Sequence, residues 1–149
     1  MVHQSTVFHY ESNHCSPSSR GSLCNEVNLP SSEPEQLFLP RGYESGYDYP
    51  LLVWLPQSDD AHFDLGRTMM RMSLRNYIAV VPADPSDLES CFEAIDLTMS
   101  RYSVHSRRIY LIGVEEGGGN AFRYACQNPE SFAGVVSVNG QFPLREGLL

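Results

Sequence analysis

Residues 108–127 read RIYLIGVEEGGGNAFRYACQ. From Ile109 to Ile112 the run is continuously apolar, as a strand covered on both faces must be, and it stops at Gly113. Two glutamates and three glycines follow. The next segment predicts a helix ending near Asn128, because Pro129 disfavours helical backbone in the residue before it. A strand that passes into a helix through a few glycines is the first part of a strand–helix–strand crossover. GVVSVNG at 134–140 supplies the strand that completes it.

The same alternation precedes this unit. LLVWL (51–55) and YIAVVP (77–82) are apolar runs of buried-strand length. Between them a helix is expected over about 64–75, with Leu65, Met69 and Met72 at helical spacing. Ser86 and Glu89 stand three apart, as in a capping box, and open a helix from about 87 to 104. Its apolar stripe would be Leu88, Cys91, Phe92, Ile95, Met99 and Tyr102. Repeated strand–helix alternation implies parallel strands joined by right-handed crossovers. The expected fold class is α/β, a doubly wound, mostly parallel sheet with helices on both faces. A short strand within 4–10 and an edge strand at QLFLP (36–40) would add antiparallel pairing at the N-terminal edge. Residues 1–35 read as this strand plus a polar, partly flexible loop, and residues 36–149 as the core domain.

Three explanations compete for the glycine-rich turn. A dinucleotide fingerprint needs G-x-G-x-x-G, and Val114, Glu115 and Glu116 break that spacing; no G-K-[ST] follows for a P-loop. Two carboxylates at a helix start would also repel a pyrophosphate. A plain turn with glutamates at the positive end of a helix dipole explains the acids but not the density of glycine. A nucleophile elbow, G-x-S-x-G, places small residues two positions either side of a strained residue. Here Gly113 and Gly117 flank Glu115, and Gly118 adds a further close approach. The spacing of an elbow is present and its serine is absent.

At these residues the chain resembles the phospholipase/carboxylesterase, or putative-esterase, branch of the α/β hydrolases. The resemblance runs through QLFLPRGYESGYDYPLLVWLP and RRIYLIGVEEGGGNAFRYACQNPESFAGVVSVNGQFP, about seven-tenths of the chain. Asn128-Pro129-Glu130-Ser131-Phe132-Ala133-Gly134 fits its P-E-x-F-A-G-V-V signature. The resemblance implies that Glu115 occupies the nucleophile position and that the N–H of Glu116 is an oxyanion donor. It also implies three departures. A carboxylate replaces the serine; some α/β hydrolases carry aspartate at the elbow, but those attack alkyl carbon. Pro56 and Gln57 follow Leu55 where the family has His-Gly, altering the oxyanion loop formed by Gln57 and Ser58. The acid and histidine that follow later strands in the family do not occur before Leu149, so the sheet is expected to be truncated at its C-terminal edge.

Chemistry in open α/β sheets gathers at the carboxyl ends of the strands. Ser58, Asp59, Asp60, His62, Asp84, Glu115, Glu116, Asn139 and Gln141 all follow strands there. His62 is the only core histidine so placed and is the candidate base, although a solvated loop histidine is the preferred reading of such a residue. His105 precedes a strand and belongs to the opposite edge; His3, His9 and His14 lie near the terminus. Asp59, Asp60, Asp84 and Glu115 together offer an alternative, a hard-cation site of carboxylate oxygens, without any recognised metal spacing. Tyr43, Tyr47 and Tyr49 are expected to cover the sheet edge rather than to line a groove.

Composition bounds the rest. The chain has 149 residues, a net charge of −8, ten arginines and no lysine. Nothing basic enough to neutralise a row of phosphates is present, so no nucleic-acid partner is expected. No apolar run reaches the length of a membrane span and the N-terminus lacks a signal pattern, which points to a cytoplasmic protein. Cys15, Cys24, Cys91 and Cys126 have no C-x-x-C spacing and are expected as free thiols, Cys91 and Cys126 at apolar helix positions. No cofactor or metal is expected. Partners reduce to a small ester-like ligand and, through an open sheet edge, a second copy of the chain. The leading function is a carboxylesterase-type domain without serine-esterase activity that acts by binding. The alternative is an active hydrolase using Glu115 as nucleophile or base on an ester or epoxide.

Overall fold

The computed structural model describes residues 6–8, 34–57 and 62–141. In chain order the elements are β1 (Thr6–Phe8), β2 (Gln36–Phe38), β3 (Tyr49–Leu55), α1 (Leu65–Met72), β4 (Ile78–Val81), α2 (Leu88–Arg101), β5 (Val104–Val114), α3 (Glu116–Gln127) and β6 (Gly134–Val138). The strands form one sheet in the order β1-β2-β4-β3-β5-β6. β3 pairs in parallel with both β4 and β5, and β5 pairs in parallel with β6. β2 runs antiparallel to β4 and parallel to β1, so both strands of the N-terminal edge oppose the rest. QLFLP is therefore not an edge strand: β1 takes the outer position and β2 lies between it and β4.

The period-2 alternation of the strands divides the apolar side chains between two cores. Leu51, Val53, Leu55, Ile78, Val80 and Leu111 point to one face, where α2 and α3 add Cys91, Ala94, Ile95, Ala121 and Tyr124. Leu52, Trp54, Ala79, Val81 and Ile112 point to the other, covered by Leu65 and Met69 of α1. Because both faces are covered, the central strands must be apolar at every position. Full burial of each large side chain contributes about 1.5–3 kcal/mol. Among the described residues coverage ends at β6, where Val136 and Val138 are half exposed on the α1 side. The outer edge of β6 has no partner among the described residues.

Local chemistry changes several expected details. Asp87, not Ser86, caps α2, its carboxylate accepting from the N–H of Ser90 at 2.9 Å. Ser86 is turned to Asp84, donating through both its N–H (2.9 Å) and its hydroxyl (2.6 Å). These bonds hold the Asp84 carboxyl below its usual range. On α2, Ala94 and Thr98 take buried positions and Met99 is exposed; the Thr98 hydroxyl is satisfied by the carbonyl of Ala94 at 2.6 Å. On α1, Met72 is exposed and does not join Leu65 and Met69 in the core. Tyr43 stacks on Tyr49 with centroids 5.4 Å apart and meets Tyr102 edge-on, while its hydroxyl accepts the N–H of Ser103. These tyrosines close the amino end of β3 and β5, where Tyr49 registers with Val104.

Among the described cysteines, Cys91 is buried and Cys126 is exposed, the latter contrary to its expected apolar position. Cys15 and Cys24 lie outside the described residues. Burial, then the nearby Asp87 and Asp84, push the Cys91 thiol from 9.0 to about 12. A thiol raised in this way favours the folded state fully below its unfolded value, and that contribution is lost as pH rises through about 12. Alkylation of the native protein at neutral pH, read by peptide mass mapping, should label Cys126 within minutes and Cys91 only after denaturant. Replacing Cys91 with Ala should flatten the alkaline limb of a stability–pH curve above about pH 9.

Candidate functional site

β5 and α3 meet at Glu115, whose backbone stands at φ 53°, ψ −115°. Left-handed backbone is costly for any side chain bearing a Cβ, and outside glycine it is kept only where the surroundings over-determine it. The surroundings are legible atom by atom. A Cβ at Gly113 would coincide with the carbonyl of Gly117 and lie 2.6 Å from the N of Gly118. A Cβ at Gly117 would overlap the carbonyl of Leu55 at the end of β3, 2.7 Å from its carbon. Strand and helix therefore approach with no room for a side chain at either glycine, and the residue midway is forced outward. Its N–H donates to the carbonyl of Val138 at 2.7 Å, and its own carbonyl accepts the first intrahelical bond of α3, from Gly119 at 3.2 Å.

The exit from β6 closes the other side of this turn. Asn139 has φ 56°; it and Glu115 are the non-glycine residues of positive φ among those described. Gly140 then lies on the first turn of α3, where a Cβ would sit 2.6 Å from the carbonyl carbon of Gly118 and 2.7 Å from the N of Gly119. The Ser137 hydroxyl, 2.8 Å from where a Cβ of Gly118 would be, is buried and has no hydrogen-bond partner among the described residues. The Asn-Gly pair that follows a strand is the sequence signal for Gly140 as a packing glycine.

Glu115 and Glu116 are both exposed at the positive end of the α3 dipole. The Glu115 side chain makes no capping bond, so its carboxylate is presented to solvent instead of folded onto the helix. Gln57 is exposed just beyond Pro56, whose carbonyl is 3.0 Å from the missing Cβ of Gly117, so the end of β3 adjoins the elbow. Ser58, Asp59 and Asp60 lie outside the described residues. His62 is exposed in the loop that enters α1. That loop is braced by Gln36, which donates to the carbonyl of Phe63 (2.9 Å) and accepts the N–H of Leu65 (2.8 Å). Gln36 sits on β2, three strand positions from β5, about 14 Å at ordinary strand spacing. A side-chain clamp between residues 29 apart leaves no periodic trace in the sequence around Gln36.

For a cation, Asp84 is spent on Ser86 and the 84–87 turn. Among the described residues no group of three or more His, Cys, Asp or Glu is arranged to hold a metal ion. No helix among them is long and apolar enough to cross a membrane.

No family model matches the chain. Among curated proteins, the candidate esterase NocK of Nocardia uniformis subsp. tsuyamanensis is 37% identical over 62 residues, 42% of this chain and 18% of that protein. Among solved structures, a thermostable esterase superposes with a TM-score of 0.54 at 18% identity, over 72% of this chain and 37% of its own. S-formylglutathione hydrolase FrmB from Staphylococcus aureus gives 0.55 at 16% identity, over 66% of this chain and 46% of its own. A ferulic acid esterase gives 0.53 at 18% identity, over 70% and 52% respectively. The chain thus spans about half or less of the length of these proteins. The likeness establishes the fold.

The pinch makes opposite demands at neighbouring positions. Gly117→Ala should cost at least about 2–3 kcal/mol, because backbone of β3 must move to admit the methyl. Glu115→Gly should raise stability by about 1 kcal/mol, the relief of left-handed strain exceeding the extra entropy of the unfolded chain. Urea unfolding of the two variants against the parent checks both signs.

Proposed function

Because the chain has the α/β-hydrolase fold of the esterases, we propose that it is an esterase-type domain that has given up serine-based acyl transfer and binds a small ester-like ligand at the former catalytic edge. One observation carries this reading: the elbow is intact at Glu115, down to its left-handed backbone, and what it presents is a carboxylate. Acyl transfer needs a nucleophile that adds to a carbonyl and donors that receive the oxyanion. A glutamate at the tip is a poor acyl nucleophile, and its charge opposes the oxyanion that would develop beside it. Pro56 and Gln57 stand where a glycine would aim an N–H at the substrate. Each oxyanion donor lost costs roughly 10²–10³ in rate.

A second reading has its own support. The Glu115 carboxylate is exposed, uncapped and held on a rigid turn, as a carboxylate nucleophile or base should be. Used on an epoxide, it would form an ester bond to one ring carbon as the ring C–O bond breaks, leaving on the neighbouring carbon an alkoxide that takes a proton from water, a first step with no tetrahedral oxyanion to stabilise. His62, as base for the second step, would have to reach from a loop tied to β2.

Short p-nitrophenyl esters and a terminal epoxide separate the readings. The binding reading expects ester turnover at the buffer background and less than about a tenfold gain from Glu115→Ser, since the serine would stand beside an oxyanion loop in which Pro56 and Gln57 replace the glycine-borne donor. Turnover of either substrate that falls by about 10³-fold or more in Glu115→Gln would replace it with the carboxylate-nucleophile reading.

A further inference from the structure

Among the described residues, the helices on the two faces of the sheet expose rows of opposite charge. On α1, Arg67 and Arg71 are exposed one helical turn apart, about 6 Å along the axis, and Arg75 is exposed in the bend that follows. None of the three is paired with a carboxylate among the described residues. The nearest acid in sequence, Asp64, caps the helix and has one oxygen taken by the N–H of Arg67 at 2.8 Å. Around these guanidinium groups Met70, Met72 and Leu74 are 56%, 46% and 41% exposed, unusual for large apolar side chains beside an open surface.

On the opposite face, α2 turns Cys91, Ala94 and Ile95 to the core and leaves Glu89, Glu93 and Asp96 exposed. Their spacing of four and three residues sets them in one row over about 10 Å. Cations on this face lie at its margins. Arg101 ends the helix, and Arg123 on α3 is bonded to the side chain of Asn120 at 2.9 Å and lies over the Tyr124 ring. Met99 borders the acidic row, 37% exposed.

We propose that the arginine row of α1 docks on the acidic row of α2 in a second copy of this chain. Charge complementarity selects that occupant. In a protein of net charge −8 the arginines of α1 are a local exception, and a row of opposite sign is carried on α2, on the far side of the sheet. Two different faces meeting make a heterologous contact, so the assembly grows by stacking and does not close as a two-fold dimer. Exposed ion pairs are individually weak and the methionines and Leu74 supply the apolar contact, so the association is shallow and strongly salt-dependent.

Sedimentation velocity across a concentration series tests it. The weight-average mass should rise with concentration at about 0.01 M salt and collapse to the monomer at about 1 M, where charges more than about 3 Å apart are screened. Arg71→Glu and Glu93→Arg, both at exposed sites, should each weaken self-association about tenfold or more while circular dichroism stays unchanged. Mixing the two variants should restore association, because the reversed α1 of one meets the reversed α2 of the other. A concentration-independent monomer at low salt overturns the proposal. So does association that survives 1 M salt, as pairing through the open edge of β6 would, or a mixture no stickier than its components.

Discussion

The structure depends on how closely β5 approaches α3. With no side chain at Gly113 or Gly117, the helix sits directly on the carbonyl ends of β3 and β5. That contact fixes the direction in which the crossover leaves the sheet. It also brings the exit of β6 onto the first turn of α3, where Gly140 meets Gly118 and Gly119. Four strand or helix ends converge within one turn of chain, and the residue at their centre has no conformation open to it but the left-handed one.

Strain at a single residue must be held by something stronger than that residue's own preference. Here the hold is shared: the Glu115 N–H is bonded to Val138, its carbonyl begins the α3 ladder, and the flanking glycines leave no space into which the turn could relax. A left-handed non-glycine residue costs of order 1–3 kcal/mol, a sizeable part of the net stability of a domain this size. Glycine at 115 would carry no such cost. A side chain is nevertheless present, and it is directed outward at the one edge of the sheet where ligands meet open α/β folds.

Most of this was readable from the chain because buried parallel strands and close-contact glycines both impose composition. LLVWL, YIAVV and IYLIG must be apolar throughout, and positions 113 and 117 can be nothing larger than glycine. Other features leave no such mark. β5 begins at Val104, several residues before the apolar run, because backbone pairing with Tyr49 across a bulge carries it through exposed Ser106, Arg107 and Arg108, which no hydrophobic pattern can reveal. Ser86 and Asp87 are both good helix caps, and the choice fell to Asp87 because Asp84 captures Ser86 first. Cys126 follows the helix period but lies beyond the reach of the sheet, so burial there was a matter of tertiary geometry. Gln36 clamps a loop distant in sequence through two hydrogen bonds, a relation that only the folded topology creates.

Fold and chemistry separate cleanly at Glu115. The glycines, the left-handed backbone and the parallel strands are requirements of the turn itself, and they are satisfied whichever side chain stands at its tip. A serine there is weak by itself and needs a base and two donors placed by other segments, so losing any one removes the reason to keep the hydroxyl without loosening the turn. A glutamate asks for none of those partners. It gains from the helix dipole behind it and needs only that the turn point it outward. On the binding reading proposed above, a carboxylate suits a tip that is not required to carry out acyl transfer, and Pro56 and Gln57 at the end of β3 accord with that reading.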